Sequence, residues 1–367
     1  MSLDSHYSTA SRGYRLAGLA ALAYSLVIVY ASLQPFTDWR ALPDAFGSFL
    51  LEPWPRWITL DDILFNFAAY VPLGFLLTLF LCARWNAPAA VVLAITACTT
   101  LSFTQEAAQQ YLPSRFASNV DLLVNSGGSA VGALLAPLFS PGQRIGHQFV
   151  QLRSRAFIDG PRGDAVLVLA GLWMVTQLYT PPIALGNGDL REGLGLTALF
   201  SYAPGTYLLA EAGVIMLNIA GLGLMLASAA RDDDSGWWRT LVLVIAGAGL
   251  FKIAAALLIL QAPHPWGWLT PGLGMGLTAA LILLLALSRL SHRNRGTLAL
   301  CALFAAVALV NLIPDNPYRQ APSHLLSGRI SHFLSFASMT HALSDIWPFL
   351  TMLFLLCSPA SRNITNH

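Results

Sequence analysis

Asp62-Ile63-Leu64-Phe65-Asn66-Phe67-Ala68-Ala69-Tyr70-Val71-Pro72-Leu73-Gly74-Phe75-Leu76-Leu77-Thr78-Leu79-Phe80-Leu81-Cys82 carries one charged residue, at its first position. A helix needs about 20 predominantly apolar residues to cross a hydrocarbon core of roughly 30 Å. An amphipathic helix of a soluble domain returns charged residues along its solvent face. None returns here, so the stretch reads as a membrane span. The pattern recurs near 14–34, 87–110, 119–139 and 164–181, and again near 207–229, 238–261, 267–288, 296–313 and 341–358. The breaks hold turn-forming residues such as Gln34-Pro35, Asn86-Ala87-Pro88, Pro181-Pro182 and Pro263-His264-Pro265. A shorter apolar piece, Leu194–Tyr207, suits an interfacial or re-entrant segment. The expectation is an all-α polytopic membrane protein of about ten transmembrane helices, with no sizeable soluble domain.

Composition agrees with lipid as the solvent. The chain has 367 residues, 56% apolar and 10% charged, against about 25% charged in soluble domains. A net charge of +2 without a basic arm gives no footprint for nucleic acid. Cys82, Cys98, Cys301 and Cys357 lie inside apolar runs without metal-type spacing, which suits buried thiols and no bound metal or cofactor. Arg12 and Arg15 precede an apolar run from Leu16 to Leu33 that is too long for a signal-peptide core. It reads as a retained anchor.

With ten spans and a cytoplasmic N-terminus, the inside segments hold 13 arginines and the outside segments 6. Arginine excess marks the cytoplasmic side, so both termini are expected there. The longest inside connection, rich in Arg and Gln, divides the chain. Residues 1–140 form a four-helix membrane domain, 141–163 a basic cytoplasmic linker, and 164–367 a second bundle of about six helices. The linker arginines suit topology and contact with lipid headgroups.

Polar side chains inside spans cost about 2.5–3.5 kcal/mol each when charged at the bilayer centre. In the first bundle they come in pairs: Asp62 with Asn66, Glu106 with Gln109, and Asp121 with Asn125. Each pair has i, i+3 or i, i+4 spacing, so its members share a helix face. The expected topology brings all three pairs to the outer membrane level. Arg115, in the outer turn Tyr111-Leu112-Pro113-Ser114-Arg115, is a natural partner for their carboxylates, and its guanidinium also suits phosphate. Gly128 and Gly132 continue the Asp121–Asn125 stripe and permit close helix approach. Carboxylates at helix ends also serve as caps, and that structural reading stays open beside a binding site.

At these residues the chain resembles the VanZ-like family of bacterial membrane proteins. The resemblance runs through Asp62-Ile63-Leu64-Phe65-Asn66 with Pro72-Leu73-Gly74-Phe75, and through Glu106-Ala107-Ala108-Gln109. It continues in Leu112-Pro113-Ser114-Arg115 and in Asp121-Leu122-Leu123-Val124-Asn125 with Gly128 and Gly132. Ser114 stands where the family often has glycine. The similarity covers roughly residues 14–140, under half of the chain. It implies a multi-pass protein of the bacterial inner membrane with a cell-envelope role, linked through the family to resistance to the glycopeptide teicoplanin, and it implies no defined reaction.

In the second half Lys252, the sole lysine, falls mid-span. A buried lysine needs a partner or loses its charge, and Glu211, Asn218 and Asp345 are candidates. It is also a candidate for holding an anionic headgroup. His341 and Asp345 have i, i+4 spacing, but two residues do not make a metal site. The polar segment from Pro314 through Thr340 suits a lid or a solvated loop. Three functions stay open. The first is binding or handling of an anionic, lipid-linked envelope precursor, or of membrane lipid, by Asp62, Asn66, Glu106, Gln109, Arg115, Asp121, Asn125 and Lys252. The second is an intramembrane enzyme with Glu106 or Asp121 as general acid–base. The third is a structural or scaffolding role. Protein partners are not indicated.

Overall fold

Alternation of long apolar runs with proline-marked breaks produces helices throughout the described chain. A computed structural model describes residues 3–34, 36–41, 46–54, 58–178, 183–197, 199–231, 236–259, 265–314, 316 and 331–357. The chain divides into two compact units. One comprises Met1–Ser154 with Ile330–Met339, and the other Arg155–Arg329 with Thr340–His367.

The first unit contains α1 (Leu3–Leu33), α2 (Leu60–Leu81), α3 (Ala87–Gln109) and α4 (Asn119–Leu135), the last extended by a 3-10 turn over Ala136–Phe139. The starts are set by side chains that replace missing backbone partners. Thr59 and Asp62 form a reciprocal capping box at α2. Asn86 caps α3 by accepting from the Ala89 amide at 3.0 Å. Ser118 caps α4. α2 packs most closely against α4, for a steric reason. A Cβ on Gly74 would lie 2.1 Å from the Ser129 carbonyl oxygen, and one on Gly132 2.0 Å from that of Val71. The two backbones touch, as small residues allow in membranes. α5 (Arg144–Ala156) then occupies most of the connection expected as a linker.

The second unit contains α6 (Pro161–Thr176), the single turn α7 (Arg191–Leu194) and α8 (Pro204–Ser228). It continues with α9 (Gly236–Ala254), which runs into a π-helical turn over Ala255–Ile259, then α10 (Pro271–Leu287) and α11 (His292–Leu312). α12 (Ser331–Cys357) begins in the first unit and continues into the second. α8 is apolar on all sides and is the buried core helix, flanked by α10 and α11.

Among the described residues, eight helices are long and apolar enough to cross a membrane, so the protein is a polytopic all-α membrane protein. The two remaining expected spans form shorter helices. α10 has 17 residues, about 26 Å at 1.5 Å per residue. α6 has 16 residues and ends at Thr176 rather than near 181. The Gln177 side chain turns back to Thr176 Oγ1 at 2.9 Å.

In the segment expected as interfacial or re-entrant, residues 194–197 and 199–201 are largely exposed and α8 begins at Pro204, while every residue of the irregular segment Ile183–Gly188 is buried. In the segment expected as a polar lid or loop, residues 331–340 belong to α12, and 317–330 lie outside the described residues.

Candidate functional site

At the end of the first unit where α2 and α4 start and α3 finishes, the polar side chains of three helices converge. Asn66 on α2 donates to Asp121 Oδ1 on α4 at 2.9 Å. Asn125, one turn further along α4, donates to Ser102 Oγ on α3 at 2.9 Å. Tyr70, one turn beyond Asn66, donates its hydroxyl to Gln105 Oε1 at 2.7 Å. Glu106 Oε2 accepts the Ser118 backbone amide at 2.8 Å, so the carboxylate of α3 helps to close the start of α4. Asp121 lies within electrostatic reach of Glu106. Ser102, Gln105, Glu106, Gln109, Asp121 and Asn125 are all buried.

The other end of the cluster is tied to α1. Gln109 Nε2 donates to Ser32 Oγ at 2.8 Å and to the Ser32 carbonyl at 3.1 Å. Arg115 donates from Nε to the Gln34 carbonyl at 2.9 Å, and from a terminal nitrogen to the carbonyls of Ala31 and Gln34 at 3.1 and 2.6 Å. The guanidinium thus satisfies carbonyls at the C-terminal end of α1, where a cation also meets the negative helix end. Burial lowers its pKa from the ordinary value, but arginine keeps its proton in proteins. The connection is pinned from outside as well. Gln110 accepts the Gly47 amide and donates to Ser48, both at 3.0 Å, and the Arg40 amide donates to the Tyr111 carbonyl at 2.9 Å.

Three atoms in this cluster, Gln105 Nε2, Gln109 Oε1 and Asn125 Oδ1, are buried without a hydrogen-bond partner among the described residues. Each such group costs about 1–3 kcal/mol in a protein interior. Two are acceptors and one is a donor. With the Glu106 and Asp121 carboxylates, the cluster is rich in acceptors.

Of the residues singled out in the sequence, Asn66, Glu106, Gln109, Asp121 and Asn125 meet in this network, and Arg115 adjoins it through α1. Asp62 is engaged in the capping box, its Oδ2 accepting from Thr59 Oγ1 at 2.7 Å. Lys252 belongs to the second unit, buried in the last turn of α9 beside the π turn. The residues named beside it in the sequence make the following contacts. Glu211 accepts from Thr270 Oγ1 at 2.8 Å, Asn218 donates to the Val214 carbonyl at 3.1 Å, and Asp345 lies 3.6 Å from His341. Sequence reading missed Ser32, Tyr70, Ser102 and Gln105. A signal for three of them was present: Tyr70 follows Asn66 by four, and Ser102, Gln105, Glu106 and Gln109 follow one α3 face at i, i+3, i+4 and i+7. Ser32 stands in an apolar run, and its role depends on where α1 ends.

The second unit holds a separate polar cluster around its irregular segment. Asn187 Nδ2 donates to Thr176 Oγ1 at 2.9 Å and to Ser344 Oγ at 3.0 Å. Asn311 receives the Leu190 amide at 2.8 Å and donates to the Gly188 carbonyl at 2.7 Å. Asp189 and Arg191 pair through two bonds of 2.8 and 2.6 Å. Irregular backbone at membrane depth is tolerated where protein groups satisfy it, and these side chains do so.

No curated protein and no solved structure matches the chain. Residues 9–140 match the family model of VanZ/LLP1. That match ends just beyond α4 and includes every residue of the first polar network. Residues 9–140, under half of the chain, are therefore similar to the VanZ-like family.

Proposed function

We propose that the VanZ-like unit binds a lipid-linked cell-envelope precursor in the bacterial inner membrane, admitting part of its headgroup to the network of Glu106, Gln109, Asp121 and Asn125. The observation that carries this reading is the set of buried, unpartnered polar atoms on Gln105, Gln109 and Asn125 within one membrane-level cluster. Because acceptors predominate, the entering part of the ligand presents donors, such as sugar hydroxyls or amide N–H groups. An anionic phosphate is disfavoured beside the buried carboxyl groups of Glu106 and Asp121 and belongs at the level of Arg115. The arginine bias supports an outer-leaflet position for this end of the unit.

The test is binding of a polyprenyl-linked saccharide–peptide precursor to the full-length protein in nanodiscs, with phosphatidylglycerol as competitor. Asn125→Leu and Gln109→Leu are each expected to weaken binding about tenfold, the equivalent of roughly 1.4 kcal/mol for one hydrogen bond. Unchanged affinity in both variants, at unchanged thermal stability, overturns the reading. The family link to glycopeptides gives a cellular counterpart. In a teicoplanin-sensitive host, wild type should raise tolerance, and Gln109→Leu at matched membrane abundance should not.

A second reading rests on Glu106 and Asp121, two buried carboxylates within electrostatic reach of each other. Environments that separate two carboxyl groups in acidity suit one as acid and the other as base. Chemical conversion of the bound precursor by wild type, abolished in Glu106→Gln while binding persists, is the result this reading requires.

A further inference from the structure

α5 has no acidic residue, and at 3.6 residues per turn its sequence Arg-Ile-Gly-His-Gln-Phe-Val-Gln-Leu-Arg-Ser-Arg-Ala divides into distinct faces. Gly146, Val150 and Arg153 share one face, and all three are buried. Gly146 is so close to the end of the α4 segment that a Cβ there would lie 2.1 and 2.2 Å from the carbonyl oxygens of Phe139 and Ser140. α5 therefore folds back onto the membrane end of α4. The adjacent face carries Ile145, Phe149 and Leu152, which are 53%, 61% and 50% exposed. Beside that apolar stripe lie Arg144, Gln148 and Arg155, also exposed. The order around the helix is protein, apolar, basic.

Three large apolar side chains left half-exposed forgo part of the stabilisation that burial gives. The bilayer supplies that burial close by. Ser140–Gln143 separates α5 from the α4 segment by four residues, which reach at most about 14 Å. Helix α5 thus begins at the headgroup layer. A helix with a basic polar face and an exposed apolar face at that depth has the pattern of an in-plane interfacial helix. α4 runs from the polar cluster toward α5, so α5 lies at the opposite membrane surface of the first unit.

We propose that α5 lies in the membrane plane, inserting Ile145, Phe149 and Leu152 into the headgroup–acyl boundary and holding anionic lipid headgroups with Arg144 and Arg155. The occupant is the lipid surface, as the absence of acidic residues and the four-residue tether to a membrane span both require. The proposal does not depend on what the polar cluster binds.

The test uses the full chain with Cys82, Cys301 and Cys357 changed to Ser, leaving buried Cys98 in place, and an environment-sensitive fluorophore at Phe149→Cys or Gln148→Cys. Protein is reconstituted in phosphatidylcholine with or without phosphatidylglycerol. At position 149 the probe should be quenched by lipids carrying a shallow quencher and shielded from aqueous iodide, with the reverse at position 148. Phosphatidylglycerol should increase the lipid quenching, and Arg144→Gln with Arg155→Gln should remove that increase. Equal iodide access at 148 and 149 in both lipids overturns the proposal. So does shielding at 149 that disappears when protein is diluted in the bilayer, which would assign the stripe to a second copy of the chain.

Discussion

At the scale of single residues, the first unit depends on glycines and amides that act together. Gly128 and Gly132 let α4 touch the backbone of α2, since a Cβ at either would lie 2.2 or 2.0 Å from a carbonyl oxygen of Phe67 or Val71. Backbone cannot yield as a flexible side chain does. Gly132→Val is therefore expected to destabilise the unit by at least the 1–3 kcal/mol typical of overpacking, seen as a lowered Tm in detergent. The same close approach brings Asn66 within 2.9 Å of Asp121. A double-mutant cycle of Asn66→Ala and Asp121→Ala should give a coupling of about 0.6–1.7 kcal/mol, the range measured for hydrogen bonds between membrane helices. A value near zero would show that the bond contributes nothing to helix association. The spacing of both glycines and amides was visible in the sequence, and the helix they met was not.

At the scale of elements, the apolar runs translated into helices whose ends were set by specific local chemistry. Thr59 and Asp62 close the start of α2 through a capping box, which engages one carboxylate oxygen of Asp62 locally. Thr59→Ala should cost about 1 kcal/mol, measured as faster hydrogen exchange at the first turn of α2, while the lipid-precursor affinity of the polar cluster stays unchanged. α6 shows the opposite case. Hydropathy extended it to the Pro181-Pro182 break, but Gln177 folds back on Thr176 and Trp173 and the helix stops at about 24 Å. Hydropathy sums side chains and does not register such local competition for backbone partners. The interior arginine run likewise read as a linker, although its apolar positions at i, i+4 and i+7 form a helical stripe.

At the scale of the molecule, two units with different internal logic share one chain. The first is organised by helix contact and a polar network within the VanZ-like segment. The second is organised around α8 and the buried segment 183–188. Gly188 has a φ of +80°, and a Cβ there would lie 2.8 Å from Val307. Gly188→Val should destabilise the second unit by about 1–3 kcal/mol through backbone strain, with hydrogen exchange rising near residues 183–191, 311 and 344. Exchange in α2, α3 and α4 should stay unchanged if the units fold independently. A global rise would show that they unfold as one.

The membrane class, the helical architecture and the VanZ-like resemblance within the first 140 residues were legible in the sequence alone. Each rests on a property that accumulates along the chain: apolar length, charge depletion, and polar pairs at helical spacing. What only the tertiary structure decided was pairing across helices. It joined Asn66 to Asp121 and Asn125 to Ser102, and it gave Gln109 to Ser32 and Arg115 to the carbonyls of α1. It also buried the irregular segment at 183–188. The physical reason is that helical periodicity gives each side chain a direction, while a hydrogen bond between helices depends on the distance and rotation that packing sets.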